Sequence, residues 1–473
     1  MKKAAFLSFI LALCLQAGAA EYTLTSTDST GQGAFRGFSN DNFTASPELP
    51  SEGITSEDSV IIEGFYDIVI DTINVENFTF ISSGAYGNGL TFSSGANVPV
   101  IRARNINFCL RDASTQPTFI NINNESVTFA GSLNNANSNL LLPQNDNIHT
   151  PGNKNVYFQA FDENTPSVSY LNNVIFYYSR SKEEAQAHSL QVDAGATLNV
   201  SSIYTGSITE EHMAAGYSTT ININGGTLNT SSIQYLFDSE IHAFTINHLS
   251  GTLGARNNIT LTKNGLAGTL NYAIGENAIF NTRAESNAFT ITLSSDVVLS
   301  RSSAEGLGGF TVRGGGALAI DCDVSAVNGT VNVEDSSTLR LGSWLANAQK
   351  VSIEAGSQVE VSSEISLGEN SHIVLGVNSA EDFATLVGTI SDSENIGTLE
   401  FAVGGTAGDT FSIAYTDLIS DSSLDWSNFD IISNVDYYLG ADSITFNVPE
   451  PAHCAVLLGL AAVALAALRK RRR

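Results

Sequence analysis

Short segments in which apolar and polar residues alternate, each opened by a small-residue turn, recur along most of this 473-residue chain. The segment Val192 to Ser202 (VDAGATLNVSS) aligns with Ile353 to Ser363 (IEAGSQVEVSS) and with Val333 to Ser343 (VEDSSTLRLGS). In the last two, Leu339 precedes Val359 by twenty residues. A shorter unit, glycine–small–apolar, begins at Gly226, Gly251, Gly268, Gly316, Gly329 and Gly397. Nearer the N-terminus the unit becomes apolar–x–Phe, ending at Phe80, Phe92, Phe108, Phe129, Phe158 and Phe176.

Alternation with period two buries one face of a short strand, as in Leu198/Val200, Leu318/Ile320, Leu339/Leu341 and Val359/Val361. Glycine before the strand supplies the turn, because it accepts positive φ without steric cost. One such strand cannot bury its apolar face alone, so many must stack. Inward phenylalanines then pack ring on ring, and the asparagines Asn105, Asn107, Asn121, Asn123, Asn222 and Asn224 are placed to form ladders along the stack. The expected fold is all-β: a right-handed parallel β-helix of about 20–25 residues per coil, similar to the passenger of autotransporters. An array of β-sandwich domains is the alternative.

Loops are expected near 142–167, rich in Asn and Pro, and near 204–217. KEEAQAH at 182–188 has the composition of a helical excursion. From about residue 381 the texture changes, and 381–447 reads as a small β-region capping the solenoid built by 21–380. Trp426 reads as part of its core.

Both ends carry signals. Lys2 and Lys3 precede an apolar run from Ala4 to Leu15 and then Ala17-Gly18-Ala19-Ala20, the pattern of a secretory signal over residues 1–20, with cleavage after Ala19 or Ala20. At the other end, residues 448–473 hold Pro449, Glu450 and Pro451, an uncharged apolar stretch from Ala452 to Leu468, and Arg469, Lys470, Arg471, Arg472 and Arg473. Such a stretch is at the lower limit of a membrane-crossing helix, and five cations would stop transfer. This order resembles the PEP-CTERM sorting signal of Gram-negative bacteria. The resemblance implies an exosortase-like membrane protease as partner, recognition at Pro449, Glu450 and Pro451, a transient inner-membrane helix, and a place in the cell envelope or an exopolysaccharide matrix.

Without these two signals the chain keeps 14 Lys and Arg against 47 Asp and Glu, a net charge of −33. A surface so acidic repels nucleic acid. Only Cys109 and Cys322 remain, far too few for a disulfide framework.

Catalytic groups are hard to find. Asp321 and Asp323 stand two apart, on one face of a strand, where paired acids could bind calcium or hydrolyse a glycosidic bond. The Gly-His-Gly and Arg-x-Lys that accompany such acids in polygalacturonases are missing, so both read as exposed acids. Glu210, Glu211 and His212 are adjacent and cannot all face one ion. His242 and His248 are expected to flank a strand. The run from Gly404 to Phe411 echoes a calcium-binding nonapeptide in a single copy, and calcium is the one cofactor left open. No catalytic or metal residue is assigned. The expectation is an exported, non-catalytic surface or matrix protein acting as adhesin or scaffold on exopolysaccharide; the alternative is a polysaccharide-active enzyme.

Overall fold

Strand pairing in the computed structural model is overwhelmingly parallel, and the alternating segments are the strands. The structure describes residues 19–27, 34–35, 43–51, 53–65, 67–68, 72–82, 89–92, 100–110, 116–117, 119–142, 152–178, 185–206, 216–303, 305–391 and 397–449. They fall into two compact units. The first holds 1–253 and 262–271, the second 254–261 and 272–473.

In the first unit, Glu21–Ser26, Ser59–Phe65, Thr72–Ser82, Val100–Leu110 and Ser126–Leu142 follow one another as parallel neighbours. The ladder continues through Lys154–Gln159 and Gln186–Asp193 to Tyr217–Gln234. A second ladder runs from the far half of Ser126–Leu142 through Ser167–Phe176 and Ala196–Thr205 to the far half of Tyr217–Gln234. The longest strands thus turn a corner and serve both ladders. At one corner Gly195, Gly225 and Gly251 have φ of 76°, 82° and 85°, in the left-handed region that favours glycine. The backbones also pack too closely there for side chains: a Cβ on Gly251 would lie 2.2 Å from the Gly226 carbonyl oxygen.

The six phenylalanines of the apolar–x–Phe units are all buried. Phe129 stands in register with Phe158, their rings 5.6 Å apart, and Phe108 meets Phe129 edge-on at 6.1 Å. Asparagines on the other face form ladders that include Asn105 and Asn222 of the expected set, whereas Asn121 and Asn123 are buried and Asn224 donates to Asp193 Oδ1. Asn105 donates to Asn77 Oδ1 at 2.7 Å, and Asn77 donates to Ser59 Oγ at 2.9 Å. Asn229 donates to Asn199 Oδ1 at 3.0 Å and Asn247 to Asn222 Oδ1 at 2.9 Å. Where Ser126–Leu142 slips register, the fully buried Asn135 takes over as a substitute peptide group, accepting from Phe108 N at 3.1 Å and donating to Phe108 O at 2.9 Å.

In the second unit the chain alternates between two parallel sheets. One has six strands: Ile259–Leu261, Thr290–Leu293, Ala317–Ile320, Thr338–Leu341, Gln358–Val361 and Thr385–Val387. The other ladder contains Phe310–Arg313, Thr330–Val333, Lys350–Ile353, His372–Val377, Thr398–Val403 and Asp430–Ser433. Their inner faces close round one apolar core in a barrel-like arrangement. Leu318, Leu339, Val359 and Leu386 stack in register, each with no exposed surface. Further strands lie outside it. Arg283–Ala284 and Asn287–Ala288 form a hairpin, and Thr410–Ala414, Ser443–Asn447 and Asp436–Leu439 form an antiparallel sheet whose Phe446 packs on Phe401 at 5.1 Å.

Several expectations are corrected here. A right-handed β-helix repeating every 20–25 residues is not this architecture. Parallel partners across neighbouring strands of the first unit lie at separations as different as 18 residues (Ser59 and Asn77) and 38 (Glu21 and Ser59), with no fixed repeat, and single strands bend to join two ladders. The second unit is a core closed by a six-stranded sheet and its facing ladder, with antiparallel strands packed outside. A β-sandwich array does not describe it either, because sandwich strands pair antiparallel. The repeats reveal strand and turn but not which strand pairs with which, since pairing distance depends on loops that the repeats do not contain. Within the loop expected at 142–167, Lys154–Gln159 is a strand, and Gln186–Asp193 is a strand where helix formers suggested an excursion; cross-strand pairing outweighs local propensity. No helix among the described residues is long and apolar enough to cross a membrane. The expected sorting helix at 452–468, Glu450, Pro451 and the basic residues Arg469 to Arg473 lie outside the described residues, and the inner-membrane partner is withdrawn with the helix.

The two copies twenty residues apart do stack directly, Thr338 on Gln358 and Leu339 on Val359. Their turns differ at two positions, Asp335 against Ala355 and Ser336 against Gly356; Ser336, at φ 56°, stands where the next turn has glycine at φ 78°. Ser336→Gly should therefore raise stability by about 0.5 kcal/mol, since it relieves a left-handed non-glycine residue. Gly251→Ala should lower it by about 3 kcal/mol, through backbone strain and collision together. Chemical denaturation of both variants checks the opposite signs.

Candidate functional site

Each strand of the longer ladder in the second unit is preceded by a turn, and parallel register places these turns side by side. Residues 325–328, 346–349 and 366–371, with 299–303, line two adjoining hollows of 690 and 540 Å3 that share Asn347. The turns are held from within by buried apolar residues: Val324 and Val327 in the first, Trp344 and Leu345 in the second, Leu367 in the third. This leaves Ser, Asn and Gln to face outward. Asn347 Nδ2 donates to Ser325 O at 2.8 Å, tying one turn to the next, and Asn328 Oδ1 accepts from Gly308 N at 2.7 Å. Arg301 and Glu369 are the charged residues of this lining. No two carboxylates face each other across it. The groove offers neutral donors and acceptors at the spacing of strands.

A third hollow, of 490 Å3, adjoins Tyr415, Trp426 and Asp442. Trp426 stacks on Tyr415 at 4.4 Å and is only 8% exposed, so its indole is part of the core, as the sequence suggested. The nearby acids are committed to turns. Asp421 accepts from Ser423 Oγ and N and from Ile390 N, and Asp425 from Ser427 Oγ and N. These bonds hold both carboxyls below the ordinary range.

Asp321 and Asp323 are both exposed, and Asp323 is occupied by Ser325, accepting from its N and Oγ at 2.9 Å each. Between them Cys322 is buried; burial first, then the flanking acids, pushes its thiol up to about 11, so it is no thiolate nucleophile. No disulfide joins Cys109 and Cys322. In the run from Gly404 to Phe411, Gly408 N donates to Val448 O and Val448 N to Asp409 O, both at 2.9 Å, which makes it a loop pinned to the last strand. Among the described residues no three His, Cys, Asp or Glu gather where a metal ion could be held. Glu210, Glu211 and His212 lie outside the described residues. Pro449 is exposed, Ala19 is exposed and Ala20 half-buried.

Sequence reasoning missed a buried cluster in the first unit. Tyr178 stacks on His188 at 4.9 Å, meets Tyr217 edge-on at 4.9 Å, and shares a hydrogen-bonded group with Thr219 and His242. His188 Nδ1 accepts from Lys154 N at 3.1 Å. His188 Nε2 and His242 Nδ1 have no hydrogen-bond partner among the described residues. Burial lowers His188 to about 3, helped by the Lys154 charge, and lowers His242 and His248 to about 4. All three occupy inward positions of alternating strands, the one signal that could have marked them as buried.

Compared with known proteins, the chain matches no family model, no curated protein and no solved structure. The resemblance to autotransporter passengers is corrected by the barrel-like core of the second unit, and that to PEP-CTERM proteins, with its exosortase-like partner, by the lack of a membrane-crossing helix among the described residues. Three residues of a triplet and a basic tail are too little sequence to define a family.

The histidines set an acid limit on the first unit. Their folded values lie below the ordinary 6.5, so the unfolded chain takes up protons first as pH falls. Their stabilising contribution is complete above pH 6.5 and is lost as pH falls through about 4 and 3. Between pH 7 and 5 most carboxylates stay ionised, so the histidines dominate the change. The denaturation midpoint of the first unit should drop across that window. A midpoint that stays level or rises contradicts the burial of these side chains.

Proposed function

We propose that this is an exported, non-catalytic surface or matrix protein that binds extended glycan chains, as an adhesin or scaffold. The observation that carries the reading is the groove of stacked turns joined at Asn347. Successive turns repeat at the strand spacing of about 4.8 Å, close to the rise of one sugar unit in an extended polysaccharide. A polymer lying along them meets similar Ser, Asn and Gln groups at each step. Each contact is weak, and the sum gives avidity. The acidic surface favours neutral glycans over acidic ones, because like charges repel.

Calorimetric titration of the full chain with neutral and acidic polysaccharides tests this. Binding of a neutral polysaccharide is expected, and the double variant Gln349→Ala/Asn370→Ala should weaken it at least tenfold while melting at an unchanged temperature. Release of reducing ends from the polysaccharide would overturn the non-catalytic reading.

A further inference from the structure

The first described strand starts beside a buried acid. Asp58 is 6% exposed, and its two carboxylate oxygens are fully engaged. Oδ2 accepts from Thr55 N and Thr55 Oγ1, each at 2.8 Å. Oδ1 accepts from the backbone nitrogen of Ala20 at 2.9 Å. Ala20 is fixed on its other side too, its carbonyl accepting from Ser59 N at 2.8 Å. Ahead of it Ala19 is exposed. Ala20 is therefore held through both its backbone nitrogen and its carbonyl, immediately after the exposed Ala19. Burial works against the Asp58 charge, but the hydrogen bonds from Ala20 and Thr55 outweigh it and keep the carboxyl below its ordinary range. The donors that hold this ionised carboxylate are neutral peptide and hydroxyl groups, so a cation at the Ala20 nitrogen would add a direct charge pair to the site.

We propose that Asp58 is the receptor for the mature N-terminus: a secretory peptidase cuts between Ala19 and Ala20, and the new α-ammonium group of Ala20 pairs with Asp58 Oδ1. This rests on the chain being exported. The cut is a hydrolysis. Water adds across the peptide bond, its oxygen completing the Ala19 carboxylate that leaves with the leader, and its protons leaving Ala20 as an ammonium group at neutral pH. The 2.9 Å hydrogen bond from a neutral peptide N–H to the carboxylate becomes one between opposite charges, which adds their Coulombic attraction. Small residues occupy the required positions for cleavage after either Ala19 or Ala20, so the sequence does not choose between them. The structure does. Cleavage after Ala20 would remove the donor to Asp58 and the acceptor of Ser59 N together, leaving Asp58 short of a partner and the first ladder short of a hydrogen bond.

Two measurements decide it. N-terminal sequencing of the protein recovered from an exporting host should read Ala20-Glu21-Tyr22. A chain starting at Glu21 or another processed residue overturns the proposal while leaving export intact, and an unprocessed Met1 overturns both. Second, chains beginning at Ala20 and at Glu21 are compared by thermal unfolding, each with Asp58 and with Asp58→Asn. Removing Ala20 should lower the melting temperature by several degrees in the Asp58 background and by much less in the Asp58→Asn background. Equal shifts in the two backgrounds would show no coupling between the terminus and Asp58, and would overturn the assignment.

Discussion

Everything in this molecule depends on parallel register, strand upon strand, of side chains that alternate in and out. In the column Leu318, Leu339, Val359 and Leu386 each side chain is fully buried by the ones before and after it. At about 25 cal/mol per Å2, burying one leucine stabilises by roughly 2 kcal/mol. A slip of one residue would turn every apolar side chain of a strand outward. The corners make the register possible. Gly195, Gly225 and Gly251 let the backbone turn through positive φ, and at Gly251 the strands also approach too closely for a Cβ.

The same register organises the polar groups. Outward asparagines bond to asparagines above them, and the turns between strands align their Ser, Asn and Gln into a groove. Where the register breaks, a side chain repairs it: Asn135 occupies the peptide position opposite Phe108. Groove and stability thus come from one geometry. The buried histidines show the limit of this arrangement, since an inward position accepts an imidazole only while it stays neutral.

Much of the local structure was legible in the sequence. Alternation located the strands, the phenylalanines were inward, and the twenty-residue offset between Leu339 and Val359 is a true pairing distance. Turn glycines such as Gly251 were recognisable for the positive φ they adopt. The architecture was less legible. Parallel pairing distances as different as 18 and 38 residues in the first unit are set by loops of unequal length, which no repeat records. Helix formers at 186–188 gave no warning that two neighbouring strands, Lys154–Gln159 and Tyr217–Gln234, would enforce a strand there. The candidate groove was invisible for a related reason. Its residues are ordinary turn residues, unremarkable one by one, and they become a surface only when register brings Ser325, Asn347 and Asn370 side by side. The roles of Asp58 and of the buried histidines likewise arise from partners far away in sequence.

Register is therefore the claim to test, and cross-linking reads it directly. Arg340 and Glu360 are partners on adjacent parallel strands, with a hydrogen bond of 3.0 Å between their side chains. Backbones about 4.8 Å apart lie within the range a disulfide can span. In a background lacking the native cysteines, Arg340→Cys/Glu360→Cys should oxidise readily to an intramolecular disulfide. Arg340→Cys/Gln358→Cys, offset by two residues along the strand, should stay reduced under the same conditions. Preferential closure of the second pair, or no closure of the first, would contradict the register on which the fold and its groove both rest.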